Sequence, residues 1–259
     1  AVYVPLPTGL HHEWVAAALH AGKHVLAEKP LATTLVAATE LVDLAAKAEL
    51  VLHENFMFLH HAQHETVRRL LDDGAIGTLR SFSAAFGIPP LPDTDVRYRP
   101  ELGGGALLDV GVYPLRAAQL FLDGPLTVLG ASLTGDGTGV DLAGAALLRA
   151  GNGATASLTF GFQHHYRNAY ELWGGAGRVT VDRVFTPPGT WTPTVRVERA
   201  GYAEEHTLPA QEQFATAVAA FARAVRNPGT PQGSGGVNDG AAILRQAALV
   251  DAVRAAAGR

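Results

Sequence analysis

The sequence contains no cysteine among its 259 residues, so neither a disulfide framework nor a thiolate nucleophile is available to it. It has no uninterrupted apolar run of the roughly 18 residues that a membrane-spanning helix requires. Basic residues are outnumbered, 20 against 24 acidic ones, which gives a formal charge of −4. No basic cluster offsets that charge, so we expect neither nucleic-acid nor membrane partners. The absence of cysteine also favours a cytoplasmic protein.

The first 55 residues alternate between strand and helix patterns. AVYVP, KHVLAEKP and LVLHENF are short apolar runs typical of buried strands. Two helical patterns separate them, one over TGLHHEWVAAALHAG, with Thr8 as its predicted cap and Gly22 as its stop, and one from Leu35 to Lys47. This order predicts parallel strands joined by right-handed helical crossovers.

Charged and proline residues stand where these three strands end. Lys29 and its neighbours Glu28 and Pro30 follow the second strand directly, and Glu54 and Asn55 end the third. Charge seldom sits at the buried end of a parallel strand for the sake of stability. In parallel α/β sheets ligands bind at the carboxyl ends of the strands. We therefore expect a ligand crevice at this edge.

The pattern changes after a helix predicted from His60 to Leu71, which ends at Gly74. Five strand patterns with turns between them predict an antiparallel sheet, over LRSFSAAFGI, AALLRAGNGATASLTFGF, AYELWGG, GRVTVDRVF and TVRVERA. Helices are predicted over 107–122, 212–226 and 239–257, with a loop NPGTPQGSGG before the last. The predicted fold is α/β plus α+β: a partial Rossmann-type parallel sheet over 1–78, then an open, mostly antiparallel sheet domain over 79–259. The last helix is expected to pack back on the first domain.

Six motifs in register carry a family resemblance across nearly the whole chain. They are VPLPTGLH (4–11), GKHVLAEKPLA (22–32), ENFMF (54–58), GAIGTLRSF (74–82), GGGALLDVGVYPLRAA (103–118) and GGAGRVTVDRVFTPP (174–188). Together they resemble the glucose–fructose oxidoreductase and inositol dehydrogenase (Gfo/Idh/MocA) family. Within it, the chain resembles actinobacterial ketoreductases that reduce C-3 of a dTDP-linked keto sugar with NADPH. The resemblance implies an NADPH/NADP cofactor, a nucleotide-sugar substrate and a cis Lys29–Pro30 peptide bond.

The family's opening strand and GxGxxG turn are not found in this sequence. By the resemblance, about 70 residues of a first mononucleotide-binding half are missing. The glycine runs at 103–105 and 174–177 do not stand between a strand and a helix, so they are no substitute. Gly174–Gly177 instead predicts a tight turn between antiparallel strands. A polypeptide of these residues alone is expected to bind a dinucleotide poorly.

Three residues are the catalytic candidates: Lys29, Tyr113 and Asp109. Ketone reduction needs a hydride, a proton and stabilisation of negative charge on oxygen. We expect Lys29 to hold that oxygen, Tyr113 to donate the proton, and Asp109 to orient substrate or Lys29. Asp109 and Tyr113 lie four positions apart, so on a helix they share a face, although Pro114 complicates it. A neighbouring ammonium is expected to lower the pKa of the tyrosine.

Each of these residues has a plain structural alternative. Lys29 would be a surface lysine in a turn, Tyr113 a packed ring with its hydroxyl on a backbone carbonyl, and Asp109 a helix-start aspartate. Predicted cofactor contacts are Pro5, Thr8, His11, Glu28, Lys29, Pro30 and Asn55. Predicted contacts to substrate sugar or diphosphate are Arg97, Tyr98 and Arg167, since arginine offers bidentate charge-assisted bonds.

Two other functions stay open at this point. Relatives that oxidise sugars or dihydrodiols with NADP also carry tyrosine at position 113, and a non-catalytic sugar-binding or oligomerisation protein would need no cofactor turn.

His60 and His64, four positions apart, are interpreted as a solvated helical face rather than a metal site, and no metal is predicted. A homo-oligomer, dimer or tetramer, is expected through an apolar face of the second sheet, near FTPP, Trp173 and Trp191.

Overall fold

The computed structural model describes residues 1–137, 139–227 and 239–259. The strands are β1 (Val2–Val4), β2 (Val25–Glu28), β3 (Leu52–Asn55), β4 (Leu79–Gly87), β5 (Leu126–Thr134), β6 (Ala143–Ala150), β7 (Thr155–Gly161), β8 (Arg167–Gly174), β9 (Gly177–Asp182), β10 (Thr194–Arg199) and β11 (Tyr202–Thr207). The helices are α1 (His11–His20), α2 (Leu35–Lys47), α3 (Ala62–Asp72), α4 (Val112–Phe121), α5 (Gln213–Arg226) and α6 (Gly240–Ala256). Apart from Asn227, the predicted loop over 227–236 lies outside the described residues. No helix in the described ranges combines the length and apolar character needed to cross a bilayer.

The first 55 residues form the predicted parallel sheet, in the order β1-β2-β3. Glu28 pairs with Asn55 at its carboxyl edge, so the polar strand ends do meet. The predicted helix cap is wrong. Thr8 lies in a 3₁₀ turn, Thr8–Leu10, and α1 begins at His11 without a capping side chain. The next helix follows the expected chemistry, because the Thr34 hydroxyl accepts the Ala37 N–H at the start of α2.

The second sheet has eight strands in the order β11-β10-β9-β8-β4-β7-β6-β5, and all neighbours run antiparallel except β4 and β7. The predicted turn at Gly174–Gly177 joins β8 to β9 and is confirmed. Sequence patterns missed β5 and β11. The β5–β6 register shifts between Val128 and Gly130, which breaks the alternation, and β11 is a largely exposed edge strand with two adjacent glutamates.

Buried side chains form two cores. The smaller packs β1, β2, α1 and α2 together and includes Ile243 from α6, while the larger lies between the second sheet and α4. The larger core already includes Phe56 and Val67, so it begins ahead of residue 78. The division at 78 stays a prediction. α6 does pack back on the first unit, where the Leu35 N–H donates to Asp251 at 2.9 Å.

The outer face of the large sheet is less apolar than expected. Trp173, Leu147 and Leu129 are exposed, but serine, threonine and ion-paired residues such as Arg178 and Glu198 surround them. The expected continuous apolar patch is therefore wrong. The FTPP contact is wrong for Phe185 as well, because that ring is fully buried. Self-association through this sheet, which leaves Trp173 exposed, stays a prediction.

Candidate active site

Asp109 lies in a π-helical turn, Leu107–Gly111, that runs directly into α4. Pro114 falls in the first turn of α4, where its missing N–H is tolerated, and the wider turn precedes it. Asp141 starts this segment, since its carboxylate accepts the Leu107 N–H at 2.6 Å and its carbonyl accepts the Ala106 N–H. No local sequence pattern marks Asp141, because its partner lies 34 residues away.

Lys29 ends β2 and reaches across to this helical segment. The Lys29–Pro30 peptide bond is cis, as the resemblance implied. The ammonium donates to the Asp109 carbonyl at 2.7 Å and to its carboxylate at 2.9 Å. It also lies 4.9 Å from the centre of the Tyr113 ring. Lys29 therefore meets Asp109, 80 positions later in the chain, and Tyr113 at the carboxyl edge of the parallel sheet.

Two cations share the Asp109 carboxylate. Arg97 donates from Nε to the second carboxylate oxygen at 2.6 Å and from Nη1 to Asp95 at 3.1 Å. Burial alone would raise the pKa of Asp109, but the charges and hydrogen bonds of Lys29 and Arg97 outweigh it and lower the pKa. Asp109 therefore stays ionised and holds both cations in place. Asp109 also lies in the first turn of its helical segment, as the structural alternative has it, but its carboxylate binds both cations as well.

Tyr113 is nearly inaccessible to solvent, at 4% exposure. Its hydroxyl donates to the Met57 sulfur at 3.8 Å rather than to a backbone carbonyl. Burial, and then the charges of Asp109 and Glu28, raise the pKa of the phenol well above its usual value. The expected lowering by Lys29 is thus wrong, because the phenol is buried and the ammonium lies over its ring.

A cleft of about 280 Å³ opens beside these residues. Its lining comes from the ends of the first two strands, the 96–104 segment and the π-helical turn: Pro5, Leu6, Pro7, Thr8, Glu28, Lys29, Val96, Arg97, Leu102, Gly103, Gly104, Leu108 and Asp109. Four of the seven predicted cofactor residues line the cleft: Pro5, Thr8, Glu28 and Lys29. Asn55 lies behind the wall, where it donates to Glu28 at 2.7 Å, and Tyr3 donates to the same oxygen.

His11 and Pro30 are the other two predicted cofactor contacts that do not line the cleft. His11 is fully buried, with Nδ1 2.9 Å from the Pro30 carbonyl and Nε2 2.7 Å from the Leu6 carbonyl. It joins the loops after β1 and β2, so direct contact with a cofactor is wrong for this ring. Pro30 lines a separate, water-sized cavity beneath the loop. Both residues shape the cleft from behind.

Two of the predicted substrate contacts do not face the cleft. The Tyr98 hydroxyl accepts the Leu91 N–H at 3.1 Å, and its ring packs edge-on against Phe162. Arg167 is exposed at the start of β8, next to the buried Asn168. Successive strand residues face opposite sides, so Arg167 points away from α4. Of the three, Arg97 alone lines the cleft, and its contact with substrate stays a prediction.

The paired histidines lie in separate elements. His60 ends a 3₁₀ turn, Met57–His60, whereas His64 lies in α3, which begins at Ala62. The interpretation as a solvated face is wrong for His64, which is 3% exposed and whose ring nitrogens lie 3.0 Å from the Tyr170 hydroxyl and the Val184 carbonyl. Within the described ranges no three His, Asp or Glu side chains come together to hold a metal ion.

A buried carboxyl beneath the Lys29 loop is a second residue that the sequence analysis did not assign. Glu54 is 2% exposed and accepts the Leu31 N–H at 2.8 Å, which holds the chain just after the cis bond. Burial raises its pKa, and the charges of Arg116 and Lys29 together with the Leu31 N–H offset part of that rise. The available signal was a charged residue within the strand pattern LVLHENF.

The edge of a partial Rossmann sheet carries a lysine held by an aspartate, and this edge faces a helix that packs on an open sheet. This arrangement is typical of one class of protein, the dinucleotide-dependent oxidoreductases of carbonyl and alcohol groups. Comparison with known families agrees. Residues 1–56 match the oxidoreductase family with an NAD-binding Rossmann fold, and residues 64–180 match the GFO/IDH/MocA C-terminal domain. The chain belongs to the Gfo/Idh/MocA oxidoreductase family.

The relatives narrow the resemblance further. A dTDP-3,4-didehydro-2,6-dideoxy-alpha-D-glucose 3-reductase of Saccharopolyspora spinosa is 57% identical over 98% of this chain and 77% of its own length. The protein of that name from Actinomadura kijaniata is 52% identical over 99% of this chain and 76% of its own length. The solved structure of KijD10, a 3-ketoreductase from Actinomadura kijaniata in complex with NADP and TDP-benzene, superposes with a TM-score of 0.93 at 52% identity, covering 98% of this chain and 77% of that one.

Proposed function

We propose that this protein reduces the C-3 ketone of a dTDP-linked keto-deoxysugar with NADPH. The observation that carries the proposal is the Lys29 ammonium at the cleft. Asp109 holds it with two hydrogen bonds, and one N–H donor remains for a substrate. The 3-reductases that the chain resembles supply the substrate class and the cofactor. Lys29 and Asp109 line the cleft, and Tyr113 is buried behind them.

The cleft suits the nicotinamide end of a dinucleotide. It lies at the carboxyl edge of the parallel sheet, where such cofactors bind in doubly wound folds. The loop from Pro5 to Thr8 forms one wall, and Glu28, held by Asn55 and Tyr3, presents a fixed carboxylate for ribose or amide groups. The cofactor, when bound, supplies the hydride that adds to the carbonyl carbon.

Lys29 is positioned to hold the ketone oxygen. An ammonium has three N–H donors, and two of them bond to Asp109, so one remains for a substrate. Asp109 is itself held by Arg97, which limits the freedom of Lys29 to turn away. A preorganised cation in a partly desolvated cleft stabilises negative charge that develops on the oxygen during reduction. The side chain of Lys29 is 11% exposed, which is consistent with that role.

Tyr113 is the proposed proton donor. Its raised pKa keeps the phenol protonated throughout the neutral range, which is the form a donor requires. A thioether is a weak acceptor, so the bond to Met57 competes poorly with an alkoxide. Moving the hydroxyl from Met57 toward the oxygen that Lys29 holds would deliver the proton. The carbonyl carbon then carries the new hydrogen and its oxygen becomes a hydroxyl.

Replacing Tyr113 with Phe tests that donor. In the protein expressed from its complete gene, we expect kcat to fall about a hundredfold with little change in KM, the lower end of the range for a general acid. Steady-state kinetics with a dTDP-linked 3-keto sugar measure both constants. Tyr98→Phe is the matched control, because it removes a hydroxyl outside the cleft, and it should keep kcat within about twofold. A wild-type kcat in Tyr113→Phe would remove Tyr113 as the donor.

Substrate turnover separates the three candidate functions. We expect oxidation of NADPH by a dTDP-linked 3-keto sugar, and no reduction of NADP by free aldoses or dihydrodiols. Absorbance at the nicotinamide band follows both directions, and chromatography of the product identifies the reduced C-3. Oxidation of a free aldose or dihydrodiol as the faster reaction would favour the sugar or dihydrodiol dehydrogenase. No turnover in either direction would favour a non-catalytic binding protein.

A further inference from the structure

An arginine in contact with two aromatic rings lies directly after β9. The guanidinium carbon of Arg183 is 5.4 Å from the centre of the Tyr166 ring and 4.8 Å from that of Trp191. The backbone of Arg183 is left-handed, with φ of 50°, a conformation that bulky residues rarely adopt. The two rings restrict the side chain before any ligand arrives, so little conformational entropy is left to lose on binding.

This arginine has aromatic neighbours but no acid. Among the residues that the structure describes, no carboxylate or carbonyl accepts a hydrogen bond from Arg183. Arg97 differs, because Asp109 and Asp95 already bind its Nε and Nη1. Both rings lie at cation–π distance from the guanidinium, and its N–H edges have no acceptor among the described residues. Those edges form the planar fork that matches phosphate oxygens.

A short series of contacts joins this cluster to the catalytic residues. Phe185, two residues after Arg183, packs 5.5 Å from the Tyr113 ring, and two residues of chain span at most about 7 Å. Asn168 accepts the Phe185 N–H at 2.8 Å and donates to the Tyr166 hydroxyl at 3.3 Å. The buried Asn168 also donates to Thr186 at 3.0 Å. Arg183 with its two rings and the surroundings of Tyr113 are therefore built from adjoining residues at one end of the sheet.

We propose that Arg183, in contact with Tyr166 and Trp191, binds the diphosphate of the nucleotide-sugar substrate. This inference rests on the proposed function and adds to it a second anchoring point away from the reacting carbon. Lys29 and Asp109 hold the sugar at the cleft, and Arg183 holds the negatively charged linker that follows it. Arg167, which the sequence suggested for this contact, points to the opposite side of the sheet, and Arg97 is engaged by its two aspartates.

Binding measurements on the protein expressed from its complete gene test the assignment. Isothermal titration calorimetry compares dTDP, inorganic pyrophosphate and thymidine for the wild type and for Arg183→Met. Methionine retains packing against the rings and removes the charge. We expect dTDP binding to weaken tenfold to a hundredfold, the range for a lost charge-assisted bond, while thymidine binding is unchanged. Pyrophosphate binding should be lost in the same variant.

Two further variants provide the controls. Arg167→Met removes a charge of the same kind from the other side of the sheet, and dTDP binding should match the wild type. Arg183→Lys keeps the charge and loses the planar fork, so its dTDP affinity should fall between those of the wild type and Arg183→Met. If Arg183→Met does not fold, as judged by its melting curve, Arg183→Lys decides the matter with the same titrations.

The outcomes separate this inference from the proposed function. Wild-type dTDP affinity in the folded Arg183→Met variant, or in Arg183→Lys when methionine is not tolerated, overturns the assignment even if the keto sugar is reduced. Weakened dTDP binding in that variant together with no turnover of the keto sugar by the wild type supports the diphosphate site and overturns the reductase. A wild type that binds neither dTDP nor pyrophosphate overturns both.

Discussion

Replacing Lys29 with Met should lower kcat/KM for the keto sugar by about 10²–10³, the loss seen when one preorganised donor to a developing oxyanion is removed. Methionine keeps the length and the apolar stem of the side chain but cannot donate to oxygen. Asp109 keeps its contact with Arg97, so the helix that carries Tyr113 should stay in place. Most of the loss should appear in kcat, because the interaction strengthens as charge develops on the ketone oxygen.

Steady-state kinetics of the protein expressed from its complete gene measure the effect, with Lys23→Met as the matched control. Lys23 precedes the same strand and is exposed, so its replacement removes an equal charge without reaching the cleft. A Lys29→Met variant within about threefold of the wild type would show that the ammonium does not hold the reacting oxygen. Equal melting temperatures for the two variants exclude loss of folding as the cause.

Acid should destabilise the fold between pH 6.5 and 4, before most carboxylates are protonated. Burial, reinforced for His53 by the charge of His60, lowers the pKa of His53 from its ordinary 6.5 to about 4. Burial, followed by the charge of His61, lowers that of His64 to about 3. In this range the unfolded chain binds protons that the folded chain does not, so the free energy of unfolding decreases as the pH is lowered. Each histidine contributes a slope of about 1.4 kcal/mol per pH unit.

Urea unfolding at fixed intervals from pH 7 to 4 gives that slope. His53→Phe should reduce it by roughly one histidine's share, about 1.4 kcal/mol per pH unit, because a phenyl ring can pack against Phe221 as the imidazole does at 5.4 Å. A free energy of unfolding that stays level from pH 6.5 to 4.5 would show that these histidines are protonated in the folded protein.

The positions of the strand ends could be predicted because parallel strands place their carboxyl termini along one edge. That rule alone brought Lys29 and Glu28 to one crevice, and the motif order added the partners Asp109 and Tyr113. The same rule could not distinguish the wall of the cleft from the layer behind it. His11 and Asn55 fit the pattern of strand-end residues, yet both are buried against neighbours that lie 19 and 27 positions away.

Predictions of pKa shifts and of solvent exposure made from the sequence were less reliable than predictions of where residues lie in the fold. A lysine near Tyr113 predicted a lowered pKa, but the sign depends on burial and on whether the ammonium faces the hydroxyl or the ring. His64 read as solvated because α3 carries many polar residues, although the helix turns that ring into the larger core. Such outcomes depend on desolvation, which packing between distant segments sets.

From the order of the amino acids one can read the parallel and antiparallel halves, the strand-edge lysine and the helix that carries Asp109 and Tyr113, since these follow from local periodicity and chain direction. Packing in three dimensions set what local patterns do not encode. It aimed the Tyr113 hydroxyl at Met57, paired Arg97 with Asp109, and brought Arg183 into contact with two rings. Each of these depends on side chains meeting across the fold, where distance along the chain carries no information.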